Sequence, residues 1–131
     1  MIVHDDIISA YHESGYVVIG ALVGVTCRSV TIDPPAHCTL ILRGVLTLMF
    51  DEDKRVTFFL AGMVTQNYYY PDVPLTSRHD HAVLYGLPER RKIIFEELIG
   101  KHLEDPAVRR KIEDLAARLM TDLSIEFLIQ L

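Results

Sequence analysis

The sequence has no tryptophan, only two cysteines and no long hydrophobic run. Two cysteines are too few for a disulfide-stapled scaffold or for a four-cysteine zinc site. The best apolar run, residues 17–25, is about nine residues long, whereas a membrane-spanning helix needs about twenty. Residues 1–6 are acidic and lack the basic segment that begins a signal peptide. We therefore expect a cytoplasmic protein in which Cys27 and Cys38 are reduced.

Positive charge is also scarce, since the net charge is −5 and the sequence pI is about 5.6. This balance argues against a nucleic-acid-binding face, so we expect no direct nucleic-acid contact and no membrane partner. The basic clusters at 89–92 and 109–111 are interpreted as solvated helix faces. The chain has no G-x-S-x-G elbow, no P-loop and no G-x-G-x-x-G motif. We therefore assign no catalytic residue and expect no cofactor.

The 131 residues suffice for one domain, and half of them are hydrophobic. The pattern of apolar residues changes near residue 87. Before it, β-branched and aromatic residues alternate with Gly and Pro, which favours strands. After it, Leu and Ile recur among charged residues, which favours helices. We predict a single domain, with an N-terminal helix or arm over 1–15, a β-barrel over 16–86 and a helical dimerisation segment over 88–131.

Within this plan, Gly15 ends a short first helix over residues 2–14. The predicted strands are one or two over 16–32 and one each over 38–50, 55–60, 63–70 and 77–84, bounded by proline, glycine and charged turns. The fold class is thus mainly β plus α. A small antiparallel barrel or β-roll occupies about residues 17–86, and two C-terminal helices follow, the second of them long.

The second C-terminal helix begins at Asp105-Pro106, a good N-cap followed by proline at the first helical position. About 25 helical residues would reach nearly 38 Å, which exceeds the diameter of so small a barrel. An uncovered apolar stripe of this length would exceed what monomers usually expose. We therefore predict a homodimer whose interface is the stripe Val108, Ile112, Leu115, Leu119, Leu123 and Phe127.

Four residues are candidates for ligand binding. Tyr68 and Tyr70 share one face of a strand and could form the aromatic wall of a pocket or a partner surface, or simply pack with exposed hydroxyls. Arg43 and Arg78 could bind an anionic ligand if they face the barrel interior, and are ordinary surface charges if they do not.

Histidines and cysteines offer a weaker possibility. His79 and His81 are spaced i, i+2, so they share a strand face and could bind a metal with His37 or His12 as a third ligand, or form an exposed polar strand end. Because the ligand set is incomplete, we expect no tightly bound catalytic metal. Cys27 and Cys38 could face each other on neighbouring strands, most simply as two buried small side chains.

The order of strands, turns and helices carries a resemblance. The extended segment at 30–32, the turn Asp33-Pro34-Pro35-Ala36-His37, the strands around Gly44 and the strand ending at Ala61-Gly62 follow one another before two helices. This pattern over residues 25–131 resembles the N-terminal cupin-like domains of AraC-type transcription regulators. It is also similar to the β-roll of cyclic-nucleotide-receptor-type regulators. The resemblance implies a cupin-like barrel, a small-molecule effector and dimerisation through the C-terminal helices.

The favoured hypothesis is a non-catalytic sensory or dimerisation module of a regulatory protein. It would bind a small molecule or a protein partner through the barrel and pair through the last helix. One alternative is a small metal-dependent cupin-type enzyme that uses His79, His81 and a third ligand. Another is an acidic adaptor dimer, similar to a secretion chaperone, that binds an extended polypeptide and has no closed pocket.

Overall fold

The computed structural model describes the backbone of residues 2–73 and 86–127 and, from residue 6 onward, their side chains. The described chain is mainly helical, with five helices and a small open sheet of three strands. In chain order the elements are α1 (Ile2–Leu22), β1 (Cys27–Thr31), β2 (His37–Leu40), α2 (Leu42–Phe50), α3 (Glu52–Tyr69), α4 (Glu89–Glu104), α5 (Pro106–Asp122) and β3 (Ser124–Glu126).

The predicted cupin-like barrel or β-roll over residues 17–86 is wrong. The described part of this segment holds the end of α1, all of α2 and α3, and only two short strands. The two strands predicted over 55–60 and 63–70 are a single helix, α3, which is buried on most sides. A fully buried helix and a buried strand both present continuous apolar runs, so periodicity alone does not separate them. The last predicted strand, 77–84, lies outside the described residues.

The charged segment 51–54 begins a helix instead of turning a hairpin. The Asp51 side chain accepts a hydrogen bond from the Lys54 backbone N–H at 3.0 Å, which satisfies one of the free donors of the first turn of α3. Glu52 and Asp53 follow in that turn, where negative charge complements the helix dipole. The same Asp51 ends α2, so two consecutive helices replace the predicted strand pair.

The first helix also runs past its predicted end at Gly15. It continues to Leu22, because Gly15 serves close packing and not helix termination. A Cβ atom on Gly15 would lie 2.6 Å from Thr65 Cβ and 2.9 Å from the Ala61 carbonyl oxygen. The backbone of α1 therefore approaches α3 at a distance that only glycine permits.

The sheet has the order β2-β1-β3, and both pairs are antiparallel. Asp33-Pro34-Pro35 lies between β1 and β2, where the sequence predicted a break in the ladder. Val30 pairs with Cys38 on one side and with Ile125 on the other. Since Val30 and Ile125 are buried against Leu115 and Leu119, the sheet covers one face of α5.

The core lies where α1 meets α3 and α5. One apolar cluster joins α1, α3, α4 and α5 through buried side chains that include Ile19, Leu60, Ile99, Leu103 and Ile112. A second joins the sheet to α1 and α5, and a third packs Tyr16 and Phe58 against Val25 and Cys27. The helices are thus arranged around α1, which takes part in all three clusters.

The two C-terminal helices start where the sequence pattern indicated. Asp105 Oδ1 accepts a hydrogen bond from the Ala107 N–H at 2.9 Å, and Pro106 takes the first helical position of α5. However, α5 ends at Asp122, because Leu123 adopts a φ of 65° and turns the chain into β3. The expected length of about 25 residues, and with it the overhang beyond the domain, is therefore wrong.

The described residues include no helix with the length and apolar character that a membrane crossing requires.

The tight crossing of α1 and α3 yields a stability prediction. Gly15→Ala should lower the free energy of unfolding by about 1–3 kcal/mol, because neither Thr65 Cβ nor the Ala61 carbonyl can move away easily. Gly100→Ala is the matched control: this glycine also lies inside a helix, α4, but its added Cβ would meet nothing within 4 Å. It should gain about 0.5–1 kcal/mol from the lower flexibility of alanine. Urea unfolding curves of both variants would contradict the packing argument if they shifted alike.

A second stability prediction concerns the apolar stripe of α5. Leu119 is fully buried within its own chain, so Leu119→Ala should cost about 2–5 kcal/mol of folding free energy. Leu98→Ala, at a leucine of α4 that is nearly half exposed, serves as the control and should cost under about 1 kcal/mol, since little of its area is buried. Comparable midpoints for the two variants in thermal unfolding would show that the stripe is not part of the core.

Candidate functional site

Several residues that the sequence analysis selected lie on the surface or outside the described chain. Arg43 is exposed on α2 and faces no barrel interior, since the described chain forms none. His37 is exposed on β2, and its Nδ1 lies 2.6 Å from the Pro35 carbonyl oxygen, to which it donates. Arg78, His79 and His81 fall outside the described residues. The described chain holds no group of three or more His, Cys, Asp or Glu side chains placed to bind a metal ion.

The predicted dimer stripe is mostly internal. Val108, Ile112, Leu115 and Leu119 are buried against α1, α4 and the sheet, while Leu123 is exposed and Phe127 is partly buried. A dimer through this stripe was expected because one domain was judged too small to cover it. Four of the six residues are covered within one chain, so their apolar character no longer indicates an interface.

A different helix presents an uncovered apolar surface. In α2, Leu42, Met49 and Phe50 are 74%, 61% and 81% exposed, and Val45 and Leu46 are also exposed. We call these five residues the α2 apolar face. The helix turns its other side inward, where Gly44 is buried and Leu48 packs against the third apolar cluster. A Cβ on Gly44 would lie 3.2 Å from the Thr26 carbonyl oxygen, so α2 is held closely against the chain that follows α1.

This face was not predicted from the sequence, because residues 38–50 were assigned to strands. The signal was nevertheless present: positions 42, 45, 46, 49 and 50 follow the i, i+3, i+4, i+7, i+8 spacing of one helix face. Because the segment has so few polar residues, its apolar positions fit both the alternation of a strand and the spacing of a helix face. Only the placement of the helix against the rest of the domain shows that this face points outward.

A second surface feature is a group of tyrosines at the end of α3. Tyr69 packs against Tyr11 of α1 with ring centroids 4.5 Å apart, and Tyr70 meets Tyr11 edge-on at 5.5 Å. Tyr68, which is 49% exposed, meets Tyr69 edge-on at 5.1 Å. We call Tyr11, Tyr68, Tyr69 and Tyr70 the tyrosine cluster. It includes both predicted aromatic ligand residues, Tyr68 and Tyr70, at a helix end where a strand had been expected.

One carboxylate joins the tyrosine cluster. The Tyr69 hydroxyl donates a 2.8 Å hydrogen bond to Glu113 Oε2 on α5. Burial, this hydrogen bond and the negative charge of Glu113 raise the pKa of Tyr69 well above its usual value. Burial first, and then the nearby Tyr70 and Glu113, also raise the pKa of Tyr11. Both phenols therefore remain neutral near neutral pH, and the charged group beside them is the carboxylate of Glu113.

Polar side chains are also buried between α1 and α3. The Gln66 Oε1 atom lies 2.8 Å from His12 Nδ1, and the Tyr16 hydroxyl lies 3.1 Å from His12 Nε2. Because the amide oxygen only accepts, Nδ1 donates to it, and in the neutral ring Nε2 accepts from Tyr16. This network fills the crossing beside Gly62, whose Cβ would lie 2.7 Å from Tyr16 Cζ. Because the crossing has no room for a substrate, the role of the network is to position the two helices.

An open cleft of about 170 Å³ lies between α3 and α4. Its lining includes Asn67, Lys92 and Glu96 but none of the buried polar network. It therefore brings together no nucleophile, base and orienting partner of the kind that catalysis requires.

The two cysteines lie close together, as the strand pairing suggested. Cys27 of β1 is opposite Leu40 of β2, and Cys38 lies two residues before Leu40 on β2. The Cys38 thiol lies 3.6 Å from Glu13 Oε1. A hydrogen bond with Cys27 raises the pKa of Cys38 well above its usual value, and burial and the negative charge of Glu13 raise it further. A raised pKa disfavours the reactive thiolate, so the Cys38 thiol is chemically protected.

The protected thiol can be tested by alkylation. Iodoacetamide at pH 8 should modify Cys38 much more slowly in the folded protein than in the urea-unfolded chain, because the raised pKa lowers the thiolate fraction and burial restricts access. Mass spectrometry of the peptide containing Cys38 would follow the rate. Equal rates in the two states would show that neither burial nor Glu13 protects the thiol.

Comparison with known proteins adds no relative: no family model, no curated protein and no solved structure matches this chain.

Proposed function

We propose that this protein is a non-catalytic homodimerising module and that the α2 apolar face is its dimer interface. The observation that carries this proposal is the outward-facing run of five apolar side chains on a helix whose other side is fixed to the domain. The proposal keeps the expected homodimer but moves its interface from α5 to α2. A sensory role through a barrel interior is not part of it, since the described chain has no barrel.

The exposed area supports an interface. Together the five side chains leave on the order of 500 Å² of apolar surface uncovered, as much as the largest patch on a typical monomer. Pairing two such faces buries about 1,000 Å² in total, which reaches the lower bound for a specific protein–protein interface. Each buried Leu, Met or Phe side chain contributes about 1.5–3 kcal/mol, so the face can sustain a dimer.

A second copy of the chain is the occupant that the charges favour. Arg43 is the one charged residue within α2, so two apolar faces meet without like charges opposed. In an antiparallel pair related by a two-fold axis, Arg43 of each copy lies near the acidic residues that follow α2 in the other. Glu52 and Asp53 already bind Arg91 but remain more than half exposed, so they can also attract Arg43. Two-fold pairing is the commonest form of assembly.

Sedimentation equilibrium at tens of micromolar tests the proposal. The wild-type chain should be a dimer, and Leu46→Glu with Met49→Glu should be a folded monomer, because both side chains are exposed in the single chain. Ile94→Glu is the matched control: it places the same charge at an apolar residue of α4 that is 53% exposed, and it should remain a dimer. Thermal unfolding curves of all three proteins verify that the variants are folded at the temperature of the sedimentation experiment.

Two results would overturn the assignment. A wild-type chain that stays monomeric at these concentrations would show that the α2 apolar face does not pair with itself. If that monomer sediments with phosphatidylcholine vesicles, the face binds a lipid surface. A dimer that survives the Leu46→Glu and Met49→Glu changes but is lost in Ile94→Glu would place the interface on α4.

A further inference from the structure

The tyrosine cluster has an open side that the core does not use. Tyr11 and Tyr69 are partly buried and pack against the core, whereas Tyr68 is half exposed in the last turn of α3. An exposed aromatic ring offers a π face that attracts cations. The rings touch one another at centroid distances of 4.5–5.5 Å and enclose no cage, so a cation can only lie on their outer surface.

Negative charge surrounds this open side. Glu113 is exposed, and only its Oε2 atom accepts from Tyr69, which leaves Oε1 without a hydrogen-bond partner among the described residues. The last turn of α3 carries no basic residue, so no side-chain charge within this turn offsets the negative end of the helix dipole. Asp72, two residues after Tyr70, is exposed as well. These features favour a cation near the end of α3.

The basic residues that the structure describes near this position do not fill it. Arg109, one helical turn before Glu113 on α5, donates instead to the carbonyl oxygens of Leu103 and Glu104 at 2.8 and 3.0 Å. Arg110 is exposed, and among the described residues Glu113 takes part in no ion pair within 4.0 Å. Within residues 2–73 and 86–127, the carboxylate therefore remains available to a cation from outside.

We propose that the tyrosine cluster and Glu113 form a binding site for the guanidinium group of an arginine side chain in a partner polypeptide. A guanidinium is flat and stacks on a single exposed ring, while its N–H groups donate to a carboxylate and to carbonyl oxygens in the same plane. A quaternary ammonium ion has no N–H donors and gains most from an enclosed cage, which this surface lacks. A lysine ammonium carries donors but is more strongly hydrated and does not stack.

Titration with short peptides, followed by the ring-proton resonances of the tyrosines, tests this site. Acetyl-Ala-Arg-Ala-amide should bind with a Kd of about 1–10 mM, as a single exposed side-chain contact allows. The same peptide with citrulline, which keeps the shape but lacks the charge, should bind at least about fivefold more weakly. Tetramethylammonium chloride and a lysine peptide should also bind more weakly than the arginine peptide.

Variants separate the site from unspecific attraction to an acidic protein. Glu113→Gln and Tyr68→Leu should each weaken arginine-peptide binding about threefold or more, whereas Glu97→Gln, at an exposed glutamate of α4, should leave it unchanged. The monomeric Leu46→Glu and Met49→Glu chain should bind the peptide as the wild type does, so this result does not depend on the dimer. Equal binding of arginine and citrulline peptides, equal effects of Glu113→Gln and Glu97→Gln, or stronger binding of tetramethylammonium would each overturn the proposal.

Discussion

The close crossing of α1 and α3 is the contact on which the rest of this structure depends. Gly15 and Gly62 bring the two helix backbones together, and neither position can accept a Cβ without a shift of its neighbours. The crossing is also polar, because His12, Tyr16 and Gln66 form a hydrogen-bonded network inside it. A buried network of this kind is stabilising only when its members are satisfied, so it favours one relative placement of the helices. The sheet, α4 and α5 then pack around this pair.

That arrangement explains why the two surface features face outward. Because α1 and α3 form the centre, the apolar side chains of α5 pack inward. The helix therefore has no uncovered apolar length of the kind that was expected beside a small barrel. The short α2 follows β2 and ends at Asp51, where α3 starts, so only one of its sides can reach the core. The end of α3 projects toward α5, which places Tyr69 beside Glu113. Each feature thus results from how neighbouring helices are connected.

Much of the C-terminal third could be predicted from the sequence, because its signals are local. The Asp105 cap, Pro106 and the spacing of Val108, Ile112, Leu115 and Leu119 act within one or two helical turns. The middle of the chain offered no such guide. Around Val18, Phe58 and Leu60 the apolar residues are nearly continuous, and a helix buried on most sides has the same composition as a buried strand. The glycines strengthened the error, since Gly15 and Gly62 resemble stop and turn signals but serve helix packing.

The apolar content, the acidic charge and the two C-terminal helices, of which α5 is capped by Asp105, can be read from the amino-acid sequence, since each depends on composition or on neighbours along the chain. The tertiary contacts were needed to show that residues 52–69 form a central helix, that four of the six residues of the predicted dimer stripe are internal and that the α2 apolar face is not. Those outcomes depend on which surfaces meet across more than 40 residues of chain, as Gly15 meets Thr65. Burial depends on contacts between segments that are distant in the sequence, and local sequence patterns do not encode those contacts.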